Sequence, residues 1–200
     1  SCQAEYADPT SRHYGLETIS CPKCGPRPRL IRFDGRAVAF EQHFVLDDVD
    51  AACSLIQKGE VVAIKGLGGY QLACDATNPA AVIRLRRAKQ SMTRPLPLMA
   101  RDLHVIARYC AISVDEELQL SGPQGPIVIL RATGGERLPG EVAPDLTTVG
   151  FMLPTTALHV LLLQRMSRPV VMTSANLSGE PRIIDDEELR EKMGVAITYG

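Results

Sequence analysis

The sequence has no tryptophan, and aromatic side chains make up only 4% of its 200 residues. Platforms that stack single-stranded nucleic acid need aromatic rings, so we expect no such surface. No apolar run approaches the roughly 18 residues of a membrane span. Neither charge sign is in excess, because the formal net charge is -1, and a whole-surface nucleic-acid binder is therefore not expected. With 22% charged and 45% hydrophobic residues, the composition is that of a globular protein.

Signs of secretion are also missing from the sequence. The first ten residues are polar, which is not the pattern of a signal peptide. Six cysteines without such a signal favour a cytoplasmic location and free thiols over a disulfide framework. The sequence opens without Met and stops directly after a predicted strand, so we expect it to be a piece of a longer protein.

Three cysteines near the N-terminus have the spacing of a zinc site. Cys2, Cys21 and Cys24 follow the pattern C-x18-C-x2-C, which is three quarters of a C-x2-C…C-x2-C site. The two thiolates of a C-x2-C turn bind one face of the ion, and a second pair completes the tetrahedron. The fourth cysteine would precede Cys2 by three residues, and His13 is a nearby nitrogen donor. We expect structural zinc; three incidental thiols in a flexible arm and a catalytic zinc are the alternatives.

From residue 31 onward, extended and helical patterns alternate, which predicts an α/β layer architecture. Residues 1–30 show little hydrophobic periodicity and cannot bury a core, so we treat them as a separate segment held by metal. A hairpin turning at Asp34-Gly35 is predicted over 31–46. Further strands are predicted at 60–65, 96–100, 126–131, 148–153, 168–174 and 195–199. Helices are predicted at 47–58, 78–89, 102–110, 113–119, 157–164 and 185–193.

Several side chains have a simple structural interpretation. We expect His159 to be a satisfied core histidine, and the leucines of the 157–164 helix to be buried on most sides. A basic run on the 78–89 helix is expected to be a solvated face: Arg84, Arg86 and Arg87. The remaining thiols are expected to be buried packing residues: Cys53, Cys74 and Cys110.

Longer motifs resemble a known family. The segments SCQAEYADPTSRHY and ISCPKCGPR resemble the second zinc-finger-like module of the hydrogenase maturation carbamoyltransferases of the HypF type. The segments IKGLGGYQLACDATNPAAVIRLRRAK, VAPDLTTVGFMLPTTALHVLLL and RPVVMTSANLSGEP resemble the YrdC-like domain that follows this module. The resemblance covers essentially all 200 residues in the same order. It implies a partial zinc-finger-like module over 1–30 and a C-terminally incomplete YrdC-like domain over 31–200, with a twisted mixed sheet and flanking helices.

The resemblance also implies a reaction. Proteins of this family use carbamoyl phosphate and ATP to make carbamoyl adenylate and pyrophosphate. The carbamoyl group then passes to a HypE-type acceptor protein through a C-terminal domain that this sequence lacks. The YrdC-like domain would be the adenylation site, with Mg²⁺ accompanying ATP.

The residues are compatible with adenylation, which needs cations near the triphosphate and polar donors in a loop. Basic side chains follow the 78–89 helix, and the small polar residues of TSANLSG follow a buried strand. On this basis and on the resemblance, the expected ATP contacts are Lys89, Arg94, Ser174, Asn176 and Ser178. A string of turn residues before Pro181 is the simpler interpretation of TSANLSG.

The turn GLGGY is neither a P-loop nor a convincing dinucleotide fingerprint, but it allows a substrate close to the backbone. We expect Lys65, Gly68 and Tyr70 to line the carbamoyl side of the site. Related threonylcarbamoyl enzymes carry P-T-D/E-T-x-Y-G-L at this point, and both threonines are glycine here. Their loss agrees with a smaller, carbamoyl substrate. No catalytic residue is assigned.

One departure from the family concerns the phosphate-binding cations. YrdC-like proteins usually have Lys-x-Arg followed by Lys-Pro, whereas this sequence has Lys89, Ser91 and then Arg94 before Pro95. Ser91 cannot neutralise phosphate, and Arg94 has a different geometry from lysine. Two other functions stay open at this point. One is a double-stranded-RNA-binding module that uses the 84–94 basic run, and the other is a scaffold whose zinc segment docks neighbouring domains.

Overall fold

Six strands form one mixed sheet in the computed structural model, which describes residues 1–21, 23–38 and 47–200. The strands are β1 (Val62–Gly66), β2 (Gly69–Asp75), β3 (Leu98–Met99), β4 (Val128–Arg131), β5 (Thr148–Met152) and β6 (Val170–Ser174). Their order across the sheet is β1-β2-β6-β3-β5-β4. The β3–β5 pair is parallel, and the other neighbouring pairs are antiparallel. The predicted mixed sheet with flanking helices is confirmed.

The α-helices are α1 (Cys2–Ala7), α2 (Asp48–Gln57), α3 (Pro79–Lys89), α4 (Leu103–Ala107), α5 (Val114–Leu120), α6 (Ala157–Gln164) and α7 (Asp186–Met193). Short polar side chains cap their N-termini, as the sequence predicts. Asn78 caps α3 by accepting a hydrogen bond from the Ala81 N–H, and Pro79 follows it inside the first turn. Thr156 caps α6, and Asp185 caps α7. These caps fix where each helix begins beside the sheet.

Helices cover both faces of the sheet, and apolar residues alternate between the two faces along each strand. On one face Leu72, Cys74 and Val171 pack with residues of α3, α4, α5 and α7. On the other face Ala73 and Met172 pack with residues of α2 and α6. The three interior thiols at positions 53, 74 and 110 are buried, as predicted. The strands near the middle of the sheet therefore have little contact with solvent.

The N-terminal segment is different, because none of its described residues up to position 29 is buried. It pairs with the C-terminal residues, because the N–H groups of Ile31 and Phe33 donate to the carbonyl oxygens of Gly200 and Thr198. The predicted strand at 195–199 is reduced to isolated bridges from Tyr199 to Arg32 and Val62. The turn at 34–35 is present, but the second half of the predicted 31–46 hairpin lies largely outside the described residues.

Three other sequence-based expectations differ from the structure. The strand β2 was not predicted, since its small residues lack a strong β pattern. The Leu161 side chain is 51% exposed, so the helix α6 buries Leu162 and Leu163 but not all of its leucines. Arg86 is 1% exposed and does not belong to a solvated face. None of the described helices combines the length and apolarity that a bilayer crossing would require.

Candidate functional site

Lys89, Ser174 and Asn176, which the sequence predicts as ATP contacts, lie together at one end of the sheet. Lys89 is the last residue of α3, and its side chain is almost fully buried. Its Nζ donates hydrogen bonds to the Ser174 carbonyl oxygen, to the Asn176 carbonyl oxygen (3.2 Å) and to Asn176 Oδ1 (3.1 Å). The three acceptors match the three donors of an ammonium group. Lys89 therefore holds the loop after β6 against the end of α3.

The loop after β6 has further internal hydrogen bonds. The Ser174 hydroxyl donates to Asn176 Oδ1 at 2.6 Å, and Asn176 Nδ2 donates to the carbonyl oxygens of Leu177 (3.1 Å) and Glu180 (2.8 Å). The Asn176 amide is thus committed on both its oxygen and its nitrogen. Ser178 lies exposed two residues further along the same loop. This bonding gives the loop one defined shape before any ligand arrives, which is what a preorganised site requires.

The end of α3 also carries the other predicted cation. Burial first, and the positive charge of Arg94 second, lower the pKa of Lys89 to about 8. Arg94 is exposed, so its guanidinium can meet a ligand from solvent. Arg86 has a structural role instead, because its guanidinium donates to the carbonyl oxygens of Glu141 (2.6 Å), Ser91 (3.0 Å) and Val142 (3.3 Å). This corrects the assignment of Arg86 to the solvated face.

The glycine-rich turn between β1 and β2 lies directly beside the TSANLSG loop. The Tyr70 N–H donates to the Ile183 carbonyl oxygen (2.8 Å), the Ala175 N–H donates to the Tyr70 carbonyl oxygen (2.8 Å), and the Ile183 N–H donates to the Ala175 carbonyl oxygen (2.9 Å). Gly69 has φ +110, and a Cβ atom there would lie 2.6 Å from the Ile183 carbonyl oxygen. Only glycine fits this position, since the backbone conformation and the close approach both exclude a side chain.

The predicted carbamoyl-side residues Lys65 and Tyr70 meet at a carboxylate. Lys65 Nζ and the Tyr70 hydroxyl both donate to Asp186 Oδ1, the latter at 2.9 Å. The Lys65 ammonium also lies 5.3 Å from the centroid of the Tyr70 ring. The two hydrogen bonds hold the pKa of Asp186 below its ordinary value, whereas burial raises the pKa of Tyr70. These three residues lie on the wall of a cavity of about 450 Å³ beside β1.

The three N-terminal thiols also come together. The sulfur atoms of Cys2, Cys21 and Cys24 all lie within 4.8 Å of one another, and the Cys21 and Cys24 sulfurs are 3.6 Å apart. Backbone N–H groups of Cys24 and Lys23 lower the pKa of Cys21 to about 7. Converging thiols of this kind are the donor set that zinc prefers. His13 is not one of this group; its Nδ1 lies 2.7 Å from Glu5 Oε2.

His159 is the satisfied core histidine that the sequence predicts. Its ring is buried, and Nε2 lies 2.9 Å from Gln71 Oε1. Because a glutamine Oε1 can only accept, the Nε2 atom carries the proton and Nδ1 faces the Thr155 hydroxyl at 3.5 Å. Burial lowers the pKa of His159, so the neutral ring is favoured.

Comparison with known proteins identifies the family. Residues 54–199 match the family model Sua5/YciO/YrdC, which carries the description telomere recombination. The chain belongs to the Sua5/YciO/YrdC family. Residues 1–31 match the model described as the HypF finger, so the Sua5/YciO/YrdC domain follows that finger in this chain.

The relatives of this Sua5/YciO/YrdC chain include the HypF carbamoyltransferases. It is 42% identical to carbamoyltransferase HypF of Rhodobacter capsulatus over 193 residues, which cover 96% of the chain and 25% of that protein. The crystal structure of full-length HypF in the phosphate- and nucleotide-bound form matches with a TM-score of 0.86 and 35% identity, over 99% of the chain and 25% of the HypF chain. The chain therefore spans about a quarter of the length of these homologues.

A second group of relatives consists of threonylcarbamoyl-AMP synthases. Threonylcarbamoyl-AMP synthase of Bos taurus is 30% identical over 178 residues, which cover 86% of the chain and 64% of that protein. Both groups of relatives are named as enzymes. The interpretation as a double-stranded-RNA-binding module is not favoured, because Arg86 of its basic run is also buried among backbone carbonyls.

Two residues of the Sua5/YciO/YrdC domain were missed by the sequence analysis. Asp186 directly follows Asp185, the N-cap of α7, so it reads as an ordinary acidic residue of a first helical turn. Nothing in the neighbouring sequence indicates that it pairs with the distant Lys65. Arg182 Nη1 donates to the Gly68 carbonyl oxygen at 3.1 Å, across 114 positions of sequence. No local pattern identifies either contact, because both depend on how the segment 181–186 passes over the glycine turn.

Proposed function

We propose that this chain carries the adenylation site of a carbamoyltransferase that matures nickel–iron hydrogenase. Carbamoyl phosphate supplies the carbamoyl group with loss of inorganic phosphate. Water takes the place of that phosphate, so the acyl group is released as carbamate. A carbamate oxygen attacks the α-phosphorus of ATP, the bond from the α-phosphorus to the bridging oxygen of the β-phosphate breaks, and pyrophosphate leaves. The product is carbamoyl adenylate, from which the carbamoyl group passes to a HypE-type acceptor through a separate transfer domain. The chain divides into a zinc-binding module over 1–30 and a YrdC-like domain over 31–200.

The contact between Lys89, Ser174 and Asn176 is the observation that supports this proposal most strongly. Lys89 meets two loop residues that lie more than eighty positions further along the sequence, and it fixes a polar loop beside a cationic helix end. Adenylation needs little covalent chemistry from the protein, so a rigid loop and positive charge are the main requirements. The nucleotide- and phosphate-bound state of the HypF homologue is consistent with a nucleotide at such a site.

Within this proposal the predicted contacts have different roles. Arg94 is exposed and meets the phosphates, whereas the Lys89 ammonium, already bonded to three oxygens, fixes the loop and adds positive charge at short range. The loop backbone and the hydroxyl groups of Ser174 and Ser178 hold the nucleotide. Mg²⁺ accompanies ATP, and no carboxylate of the chain is assigned to it.

The carbamoyl group binds beside the glycine turn in this proposal. Lys65 and Tyr70 are held there by Asp186, and the predicted Gly68 lies in the same turn with its carbonyl oxygen bonded to Arg182. The missing threonine side chains at positions 66 and 68 leave no group to hold an amino acid. The substrate on this side is therefore carbamoyl rather than threonylcarbamoyl. The converging thiols Cys2, Cys21 and Cys24 would hold structural zinc, which orders the first module.

The test is ATP–pyrophosphate exchange that depends on carbamoyl phosphate, measured with full-length protein. Asn176→Ala removes the amide that shapes the loop, and we expect exchange to fall by at least about tenfold, as for other preorganised sites. Gln119→Ala removes an exposed amide on α5 and serves as the control, with unchanged exchange. Full exchange in Asn176→Ala with normal melting would reject the site. Exchange with added threonine but not with carbamoyl phosphate would reject the substrate.

A further inference from the structure

Arg182 lies over the glycine turn and takes the space of a missing side chain. Its Nη1 donates to the Gly68 carbonyl oxygen at 3.1 Å. A Cβ atom on Gly68 would lie 2.7 Å from Arg182 Nη1, and a Cβ atom on Gly69 would lie 2.9 Å from Arg182 Cδ. The arginine side chain and the two glycines therefore fit one another, since any larger residue in the turn would displace the guanidinium.

The backbone that carries Arg182 is firmly held beside the TSANLSG loop. Ile183 is fully buried, its N–H donates to the Ala175 carbonyl oxygen, and its carbonyl oxygen accepts from the Tyr70 N–H. Ala175 lies between Ser174 and Asn176, the two loop residues that Lys89 contacts. Arg182 therefore precedes Ile183, the residue whose N–H is bonded to the middle of the proposed nucleotide loop.

The cations around this loop differ in how many of their N–H groups are not bonded to the protein. Lys65 is paired with Asp186, and the Lys89 ammonium has three oxygen acceptors. For Arg182, the acceptor within the described part of the chain is the Gly68 carbonyl oxygen. A guanidinium has five N–H donors, so most of those on Arg182 are available to a ligand. The side chain is exposed, which gives a ligand access from solvent.

We propose that Arg182 binds the phosphate chain of the nucleotide, at the place where the glycine turn meets the TSANLSG loop. This inference rests on the proposed function and adds a phosphate-binding residue to it. The guanidinium fork binds phosphate oxygens in pairs, which a serine cannot do. Ser91 stands after α3 where the family usually has an arginine. Arg182 would supply the missing cation from a different segment of the chain. The carbonyl contact to Gly68 fixes the guanidinium in advance and leaves its other edge for phosphate.

The experiment uses calorimetry to measure the affinity of the full-length protein for four ligands. These are ATP, pyrophosphate, AMP and carbamoyl phosphate. Arg182→Gln removes the charge and keeps a polar side chain of similar reach. We expect this variant to bind ATP and pyrophosphate at least about tenfold more weakly, because a charge-assisted bidentate contact is lost. The affinity for carbamoyl phosphate should change by less than about twofold, because the proposed contact is to the nucleotide. The affinity for AMP should fall less than that for ATP, because AMP offers the guanidinium one phosphate instead of three. Arg182→Lys keeps the charge without the fork and should give an intermediate loss.

Arg131→Gln is the matched control, since it removes an exposed arginine from β4 at the opposite edge of the sheet. It should leave all four affinities unchanged. Thermal melts without ligand should be the same for wild type, Arg182→Gln and Arg182→Lys, because an exposed side chain with one backbone contact contributes little to stability. If Arg182→Gln melts early, Arg182→Lys, which keeps a donor for the Gly68 carbonyl, supplies the affinity comparison.

The outcomes separate this inference from the proposed function. If Arg182→Gln binds pyrophosphate with wild-type affinity, the role of Arg182 is overturned. The proposed function still stands in that case if Asn176→Ala has lost affinity for ATP. If Arg182→Gln loses affinity for carbamoyl phosphate alone, the assignment to the nucleotide is overturned, and Arg182 contacts the phosphate of carbamoyl phosphate instead. If the wild-type protein binds neither ATP nor pyrophosphate, the proposed function itself fails.

Discussion

The Lys89 ammonium donates a hydrogen bond to the Ser174 carbonyl oxygen, which ties the end of α3 to the end of β6. The two residues are 85 positions apart in sequence, and the contact lies in a nearly closed environment, because Lys89 is only 7% exposed. A buried ammonium with three oxygen acceptors is a structural element as well as a source of charge. Its replacement should therefore affect both the loop and the fold.

Lys89→Ala is expected to lower exchange activity and stability together. The substitution removes the ammonium donor from the half-buried carbonyl oxygens of Ser174 and Asn176, while Asn176 Oδ1 keeps the Ser174 hydroxyl. A lost donor of this kind typically costs about 1–3 kcal/mol of unfolding free energy. This differs from what the sequence alone suggests for a lysine at a helix end, namely a loss of activity with normal stability. Urea unfolding and carbamoyl-phosphate-dependent exchange measure the two effects. Arg137→Ala, which removes an exposed cation, should change neither; equal stability of Lys89→Ala and wild type would contradict the structural role.

Zinc removal is expected to disorder the N-terminal module and leave the sheet domain folded. The three thiols at positions 2, 21 and 24 converge, and no described residue of this segment up to position 29 is buried. Elemental analysis of full-length protein should find bound zinc at this site, and Cys24→Ser should lose it. Cys110→Ala changes an interior thiol outside the group and should keep the metal. A sheet-domain melting midpoint that falls with chelation would show that zinc holds more than this module.

Gly69→Ala should destabilise the protein more than Gly35→Ala. Both glycines have positive φ, so alanine is strained at either position by roughly 1–2 kcal/mol. At Gly35 no heavy atom lies within 4 Å of the new Cβ, whereas at Gly69 the Ile183 carbonyl oxygen would be 2.6 Å away. The difference in unfolding free energy between the two variants reports the steric contact together with the less favourable φ of +110 at Gly69. Equal effects would mean that the turn does not pack against the 181–184 segment.

Protonation of His159 should make stability fall on the acid side of neutrality. Burial lowers the pKa of His159 below 6.5, so the unfolded chain binds more protons than the folded one as the pH falls through that range. The free energy of unfolding therefore decreases with falling pH. His159→Asn should reduce the change in stability between about pH 7.5 and about pH 5.5. His104→Asn, at an exposed histidine, should keep the wild-type pH dependence; the same pH dependence in His159→Asn would contradict the buried neutral ring.

Local chemistry made most of the fold predictable. The Asn78-Pro79 cap placed α3 correctly, and its last residue, Lys89, also agrees with the prediction. Both depend on hydrogen bonds within one turn of the chain, which the sequence specifies directly. The cysteine spacing similarly anticipated a convergence of thiols that the structure contains. By contrast, β2 went unpredicted because its strand conformation depends on pairing with β1 and β6.

The helix α1 was not predicted, and α4 ends at Ala107 instead of residue 110. The sequence by itself determined the α/β architecture, the starts of α2 to α7 and the thiol cluster. These follow from periodicity, caps and motif spacing, which are properties of neighbouring residues. Only the tertiary structure decided which cations are free to meet a ligand. Arg86 and Lys89 lie on one helix with Arg87, yet backbone carbonyls from distant segments surround the first two and leave the third exposed. The contacts of Asp186 with Lys65 and of Arg182 with Gly68 join positions more than a hundred residues apart. Such pairs form because burial of the core brings their segments together, and no local pattern specifies them.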